Sequence, residues 1–171
     1  MMTLATFRIA LMIARVCVSE AGWNGHDECT AIAHAFVYQA QTRNITIERQ
    51  ICAYSPNSCN KNRTDRRMWI SHLHPESRRA PPGWPRGMSW EEHRAKFTAM
   101  LLVAHRAYLG VLPSACPGSV HWGSHGCRAC RTRMESSGFI RSHCGLANRW
   151  WRRPLKNEIA LMRINPRRNR G

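Results

Sequence analysis

"RIALMIARVCVSEAGWNGHDECTAIAHAFVYQAQ", residues 8–41, is the stretch on which the fold reading turns. Ile9, Met12, Ile13, Val16 and Cys17 recur at i, i+3, i+4, i+7 and i+8, which is one apolar stripe along a helix. The next position of that series is Glu20, so the pattern places a carboxylate on the buried face, at the helix end. Arg8 and Arg15 lie off the stripe, where they reach solvent. Gly22, Asn24 and Gly25 stop the helix and open a turn. Cys29, Ile32, Ala33, Phe36, Val37 and Ala40 repeat the spacing, so a second helix is expected over 27–41 and should pack on the first. His26, Asp27 and Glu28 open it, and acidic groups suit the positive end of a helix.

Two readings of Glu20 follow from the pattern. A carboxyl on an apolar face is partly desolvated, which favours its neutral form and suits a general acid. The other reading is a half-exposed Glu at a frayed helix end.

Working outward, a short helix is expected over 47–53 behind Thr46 as N-cap. "SPNSCNKNRTDRR", residues 55–67, reads as loop. "MWISHLHPESRRAPPGWPRG", residues 68–87, starts as a short strand, Met68 to Leu73, and then becomes rich in Pro, Gly, Arg and Trp. Ser89 and Glu92 form a capping box that starts a helix running to Leu109. Its buried stripe is Phe97, Met100, Leu101, Ala104 and Tyr108, and Gly110 and Pro113 stop it. From Pro113 to Arg149 the chain reads as loop-rich. The pattern is thus mainly α (α+β), with long irregular loops and a small β element. One domain is expected over 1–154, and a basic C-terminal tail over 155–171.

The chain has 171 residues, with 26 Lys and Arg against ten Asp and Glu, a net charge of +16. That charge implies a polyanionic partner: nucleic acid, an anionic envelope polymer or a membrane surface. No run is long enough to span a membrane. Arg8 and Arg15 interrupt the first apolar stretch and no small-residue cleavage site precedes Glu20, so no secretory signal is expected. Delivery by a phage particle or a lysis system would then carry the protein to an envelope.

The eight cysteines are Cys17, Cys29, Cys52, Cys59, Cys116, Cys127, Cys130 and Cys144. The even count fits disulfides in an oxidising compartment or metal sites in a reducing one. Cys17 and Cys29 fit either a bridge between the first two helices or two plain core residues. Cys127 and Cys130, with His143 and Cys144, have spacing that suggests a structural zinc but is incomplete for one, and disulfides or free thiols are the favoured reading. No other cofactor is expected. His121-Trp122-Gly123 lies in a glycine-flanked segment, where the Trp either offers a platform to a sugar ring or seals the segment onto the core. Trp69, Trp84, Trp150 and Trp151 also fall in irregular or basic segments, and Trp beside Arg suits stacking on sugars or on single-stranded nucleic acid.

"IARVCVSEAGWNGHDECTAIAHAFVYQA", residues 13–40, resembles the opening of the SleB-type cell-wall hydrolases and related phage lytic transglycosylases. Glu20-Ala21-Gly22 and Ala31-Ile32-Ala33 carry the likeness, "HWG" at 121–123 resembles a later family loop, and "NRWWRRP" at 148–154 is similar to the closing segment of some phage relatives. Where the family often closes the second helix with Asn-Arg, this chain has Gln39-Ala40-Gln41-Thr42-Arg43. The resemblance implies a lysozyme-like fold that cleaves the glycan strands of bacterial peptidoglycan. It makes Glu20 the catalytic acid and Trp69, His121 and Trp122 substrate-binding residues, in a phage virion or a host envelope after delivery. A hydrolase would also need a second carboxylate, for which Asp65, Glu76 and Glu48 are candidates. A lytic transglycosylase needs none. The alternatives are a basic protein binding zinc and nucleic acid, the latter also through the tail, and a virion structural protein with an inactive hydrolase-like fold.

Overall fold

The computed structural model describes residues 3–22, 24–55, 89–123, 128–146 and 148–156, with Trp90 and Cys130 as backbone only. The architecture is mainly helical with a small antiparallel sheet. The chain divides into two compact units, Met1–Pro117 and Gly118–Gly171. That division falls inside the range 1–154 expected as one domain.

The first unit holds α1 (Leu4–Ala21), α2 (His26–Arg43), α3 (Ile47–Tyr54) and α4 (Trp90–Tyr108). Each boundary has a local cause. Thr3 caps α1 through a reciprocal pair, its hydroxyl accepting from the Thr6 N–H at 3.2 Å and its own N–H donating to Thr6 Oγ1 at 3.0 Å. At the other end the Gly22 N–H returns to the Val18 carbonyl at 3.1 Å. Asn44, in the left-handed region at φ 51°, closes α2. Thr46 and Ser89 cap α3 and α4, accepting from the N–H groups of Arg49 and Glu92 at 3.2 and 3.1 Å.

α2 is the central helix. Its buried residues, Glu28 to Ala33, Ala35, Phe36, Gln39 and Ala40, surround most of its girth, as expected of a helix packed on several sides. α1, α3 and α4 all pack against it. Two polar ties fix its neighbours. Gln50 on α3 donates to Gln39 Oε1 at 2.6 Å and accepts from Arg43 at 3.1 Å. The segment after α4 crosses α2, where the Thr30 hydroxyl accepts from the Ala115 N–H at 2.9 Å and His34 Nε2 donates to the Leu112 carbonyl at 2.7 Å.

Cys17 and Cys29 form a disulfide between α1 and α2, and both are fully buried. They are 12 residues apart in sequence, and a bridge closing so short a loop contributes about 3 kcal/mol. The α1–α2 turn depends on two glycines. Gly22 sits at φ 74°, ψ −177°, a conformation that needs glycine. At Gly25 a Cβ would lie 2.5 Å from both the Cβ and the carbonyl oxygen of Ala21, so the two helix ends meet only with no side chain there. Gly25→Ala is therefore expected to cost about 2 kcal/mol, read as a drop of several degrees in melting temperature. An unchanged melting temperature would show that the turn yields freely.

The second unit holds β1 (Ser119–Gly123), α5 (Arg128–Ser136), β2 (Ile140–Ser142) and β3 (Arg149–Arg152). The sheet order is β1-β3-β2, with both pairings antiparallel. This corrects the reading of 113–149 as loop. Trp150 and Trp151 are consecutive on the central strand and both are fully buried, so both faces of β3 are covered at its middle. Trp150 pairs in register with Trp122, their ring centroids 5.5 Å apart. The expected strand Met68 to Leu73 lies outside the described residues. Of the expected tail, Leu155 and Lys156 are described and both are exposed.

Candidate functional site

The α1–α2 turn and the start of α4 form one end of the helical unit. Lys96, on the second turn of α4, donates to Asn24 Oδ1 at 3.3 Å and pairs with Glu92 at 3.6 Å. This fixes the first turns of α4 beside the chain reversal between α1 and α2. Glu20 is in the last turn of α1, and Glu28 is in the first turn of α2.

Glu20 is exposed, which corrects the expectation that it extends the buried face. Its direction around the helix is that of Val16 and Ile13, but only Ala21 follows it in α1. The stripe fixes the azimuth of a side chain. Burial also needs a neighbour at the same height, and at this height α2 is only beginning. Among the described residues the buried carboxylate is Glu28, 3% exposed. It shares the Ala31, Ile32 and Ala35 face of α2, and the helix N-terminus favours an anion there.

His93 is the second group that the sequence reading missed. It is one turn before Phe97 on the buried face of α4 and is 0% exposed. Burial lowers its pKa from 6.5 to about 4, so the ring is neutral at pH 7. Its signal was its position four residues before Phe97, which extends the apolar stripe backwards. Arg15, expected in solvent, is half-buried, and burial lowers its pKa; a guanidinium stays charged even so.

At this end, then, Glu20 is an exposed carboxyl, while Glu28 at the start of α2 and His93 in the first turn of α4 are buried. The ammonium of Lys96 holds the turn. Asp27 and Glu92, at the starts of α2 and α4, are also exposed carboxylates here. Glu48 is not at this end. It pairs with Arg8 at 3.3 Å, and Arg8 is twelve residues before Glu20, about 18 Å along a helix. Opposed glycosidase carboxyl groups stand at most about 9.5 Å apart, so Glu48 is not the second carboxylate. Asp65, Glu76 and Trp69 lie outside the described residues.

His121 and Trp122 are in the second unit, on β1. Trp122 is 8% exposed and stacked on Trp150. It seals the sheet and offers little face to a sugar ring, which corrects its assignment as a platform. The burial of Trp150 and Trp151 likewise removes them as stacking surfaces. His121 is half-buried, edge-on to Phe139 at 4.7 Å. Of the four residues considered for zinc, Cys144 is disulfide-bonded, as are Cys52 and Cys116, so Cys144 brings no thiolate to a metal. His143 is exposed, and Cys127 and the Cys130 side chain lie outside the described residues. Among the described residues there is no group of His, Cys, Asp and Glu placed to hold a metal ion, and no helix long and apolar enough to cross a membrane.

No family model, no curated protein and no solved structure matches this chain.

Proposed function

We propose that this chain cleaves the glycan strands of bacterial peptidoglycan, with Glu20 as the proton donor. The observation that carries the proposal is the position of Glu20. It is a solvent-exposed carboxyl at the end of α1, on a turn pinned by a disulfide, a close-packed glycine and Lys96. A catalytic acid must be open to its substrate and held in place, and Glu20 meets both conditions. The likeness of residues 13–40 to cell-wall hydrolases points the same way, as does the net charge of +16, since envelopes carry phosphate and carboxylate polymers. Disulfides at Cys17–Cys29 and at Cys52, Cys116 and Cys144 suit action outside a reducing cytoplasm.

The mechanism favoured is that of a lytic transglycosylase. Glu20 protonates the glycosidic oxygen. The resulting carboxylate then takes the proton of the 6-hydroxyl of the same sugar as that oxygen attacks C1, closing an anhydro ring. No second carboxylate and no water are consumed. Exclusion of Glu48 and burial of Glu28 support this route.

The test is digestion of purified peptidoglycan, with the soluble products weighed by mass spectrometry. Anhydro-muramyl ends are expected. Reducing ends would replace the transglycosylase with a hydrolase and make Asp27 the first residue to vary as its second carboxylate. No release from folded protein would overturn the proposal.

A further inference from the structure

The sheet of the second unit has one face whose chemistry the cleavage reaction does not use. Register puts Arg141, Trp151 and His121 in one row across β2, β3 and β1. Arg149 is two residues before Trp151 on β3 and therefore shares its face. Phe139 joins them, touching His121 edge-on, and the Arg153 guanidinium lies 6.0 Å over the Phe139 ring. Three guanidinium groups and an imidazole thus surround one Trp and one Phe. Among the described residues from 118 to 156 the only carboxylate is Glu135, on α5.

Two donors on the face are unanswered. Trp151 Nε1 and Arg149 Nε are buried, and neither has a hydrogen-bond partner among the described residues. Trp151 is 0% exposed. A buried donor left unmade costs about 1–3 kcal/mol, and native proteins rarely leave one without a reason. Arg141 and Arg153 are exposed on this face, and an oxyanion would be held by their guanidinium forks beside the buried donors.

We infer that this face binds the phosphodiester groups of a base-free anionic envelope polymer, holding the enzyme on the wall while the first unit works. The inference rests on the envelope reading above for where the polymer is met. It rests on the sheet alone for the site. A phosphate-bearing polyol is favoured over nucleic acid because the sheet has no open stacking surface. Trp122, Trp150 and Trp151 are buried, and Phe139 is already engaged by His121 and Arg153. Single-stranded nucleic acid draws much of its affinity from bases stacked on exposed aromatics.

The experiment is equilibrium binding of synthetic poly(glycerol phosphate) to the full chain. A single-stranded oligonucleotide with the same number of phosphates is the comparator. The variant R141Q/R153Q removes two exposed guanidinium groups from the face, and R128Q/R131Q removes the same charge from α5. The first is expected to weaken polymer binding at least about tenfold, and the second less than about threefold. In the ¹H–¹⁵N spectrum of labelled protein, inorganic phosphate should move the indole N–H resonance of Trp151. Equal losses in the two variants would reduce the effect to net charge and overturn the site. Tighter binding of the oligonucleotide would overturn the polymer class. A Trp151 resonance that phosphate leaves in place would put the phosphate elsewhere and overturn the site. None of these readouts depends on glycan cleavage, so this inference and the proposed activity fail separately.

Discussion

Glu20→Gln is expected to lower peptidoglycan cleavage by about a thousandfold, within the range of loss for a general acid, and to leave the melting temperature within a degree or two of the wild type. Glutamine keeps the size and hydrogen-bonding reach of the side chain but has no proton to give the glycosidic oxygen. The thermal expectation follows from exposure. Glu20 lies at the helix end in solvent, and substitutions at such positions stay within about 0.5 kcal/mol. Glu28→Gln is the matched contrast. That side chain is 3% exposed at the start of the central helix, so the change is expected to destabilise the fold, by about 1–3 kcal/mol if a buried group loses its partner. Activity per folded molecule should then fall much less than for Glu20→Gln. The pair of variants separates the two carboxylates at this end. If Glu28→Gln abolished turnover while Glu20→Gln kept most of it, the acid would be the buried residue and the assignment of Glu20 would fall.

The sequence made the helical frame readable because its signals are local. Thr46 and Ser89 cap where a side-chain oxygen can reach a free N–H, and Gly22 and Gly25 stop α1 and open α2 because only glycine fits there. The apolar stripes then predicted that α1 and α2 pack together, as they do. The site was legible only in direction. A stripe says which way Glu20 points but carries no information about the height at which neighbouring helices end. The same series would have found His93 had it been followed back one turn from Phe97, but a histidine on such a face reads as a boundary until its burial is seen. The second unit was illegible for another reason. β2 has three residues and β3 four, too few for alternation to register. Trp150 and Trp151 are buried on opposite faces, which erases the alternation altogether. α5 is rich in Arg and has no apolar stripe to announce it.

His93 should make the first unit sensitive to acid in a pH window that its pKa defines. In the unfolded chain the imidazole takes a proton near pH 6.5; in the folded protein burial holds this off until about pH 4. Between those values the unfolded state binds more protons, so stability rises with pH. It is fully present above about pH 6.5 and is lost as the pH falls through the window to about 4, where the loss totals about 3 kcal/mol. Urea unfolding at intervals from pH 7 to pH 4 would measure it, with His93→Asn as the reference that cannot titrate. The variant is expected to be less stable at pH 7, since it shortens a fully buried side chain, but its curve should be flatter across the window. Parallel curves for the two proteins would assign the acid response to other groups. The consequence for catalysis follows from the position of His93. It lies on α4 three residues before Lys96, which donates to Asn24 in the α1–α2 turn. A charge forced into the first turn of α4 loosens the support of the acid, so cleavage should decline towards pH 4. His93→Asn should weaken that decline, whereas a decline unchanged in the variant would place its origin in the substrate or in another group.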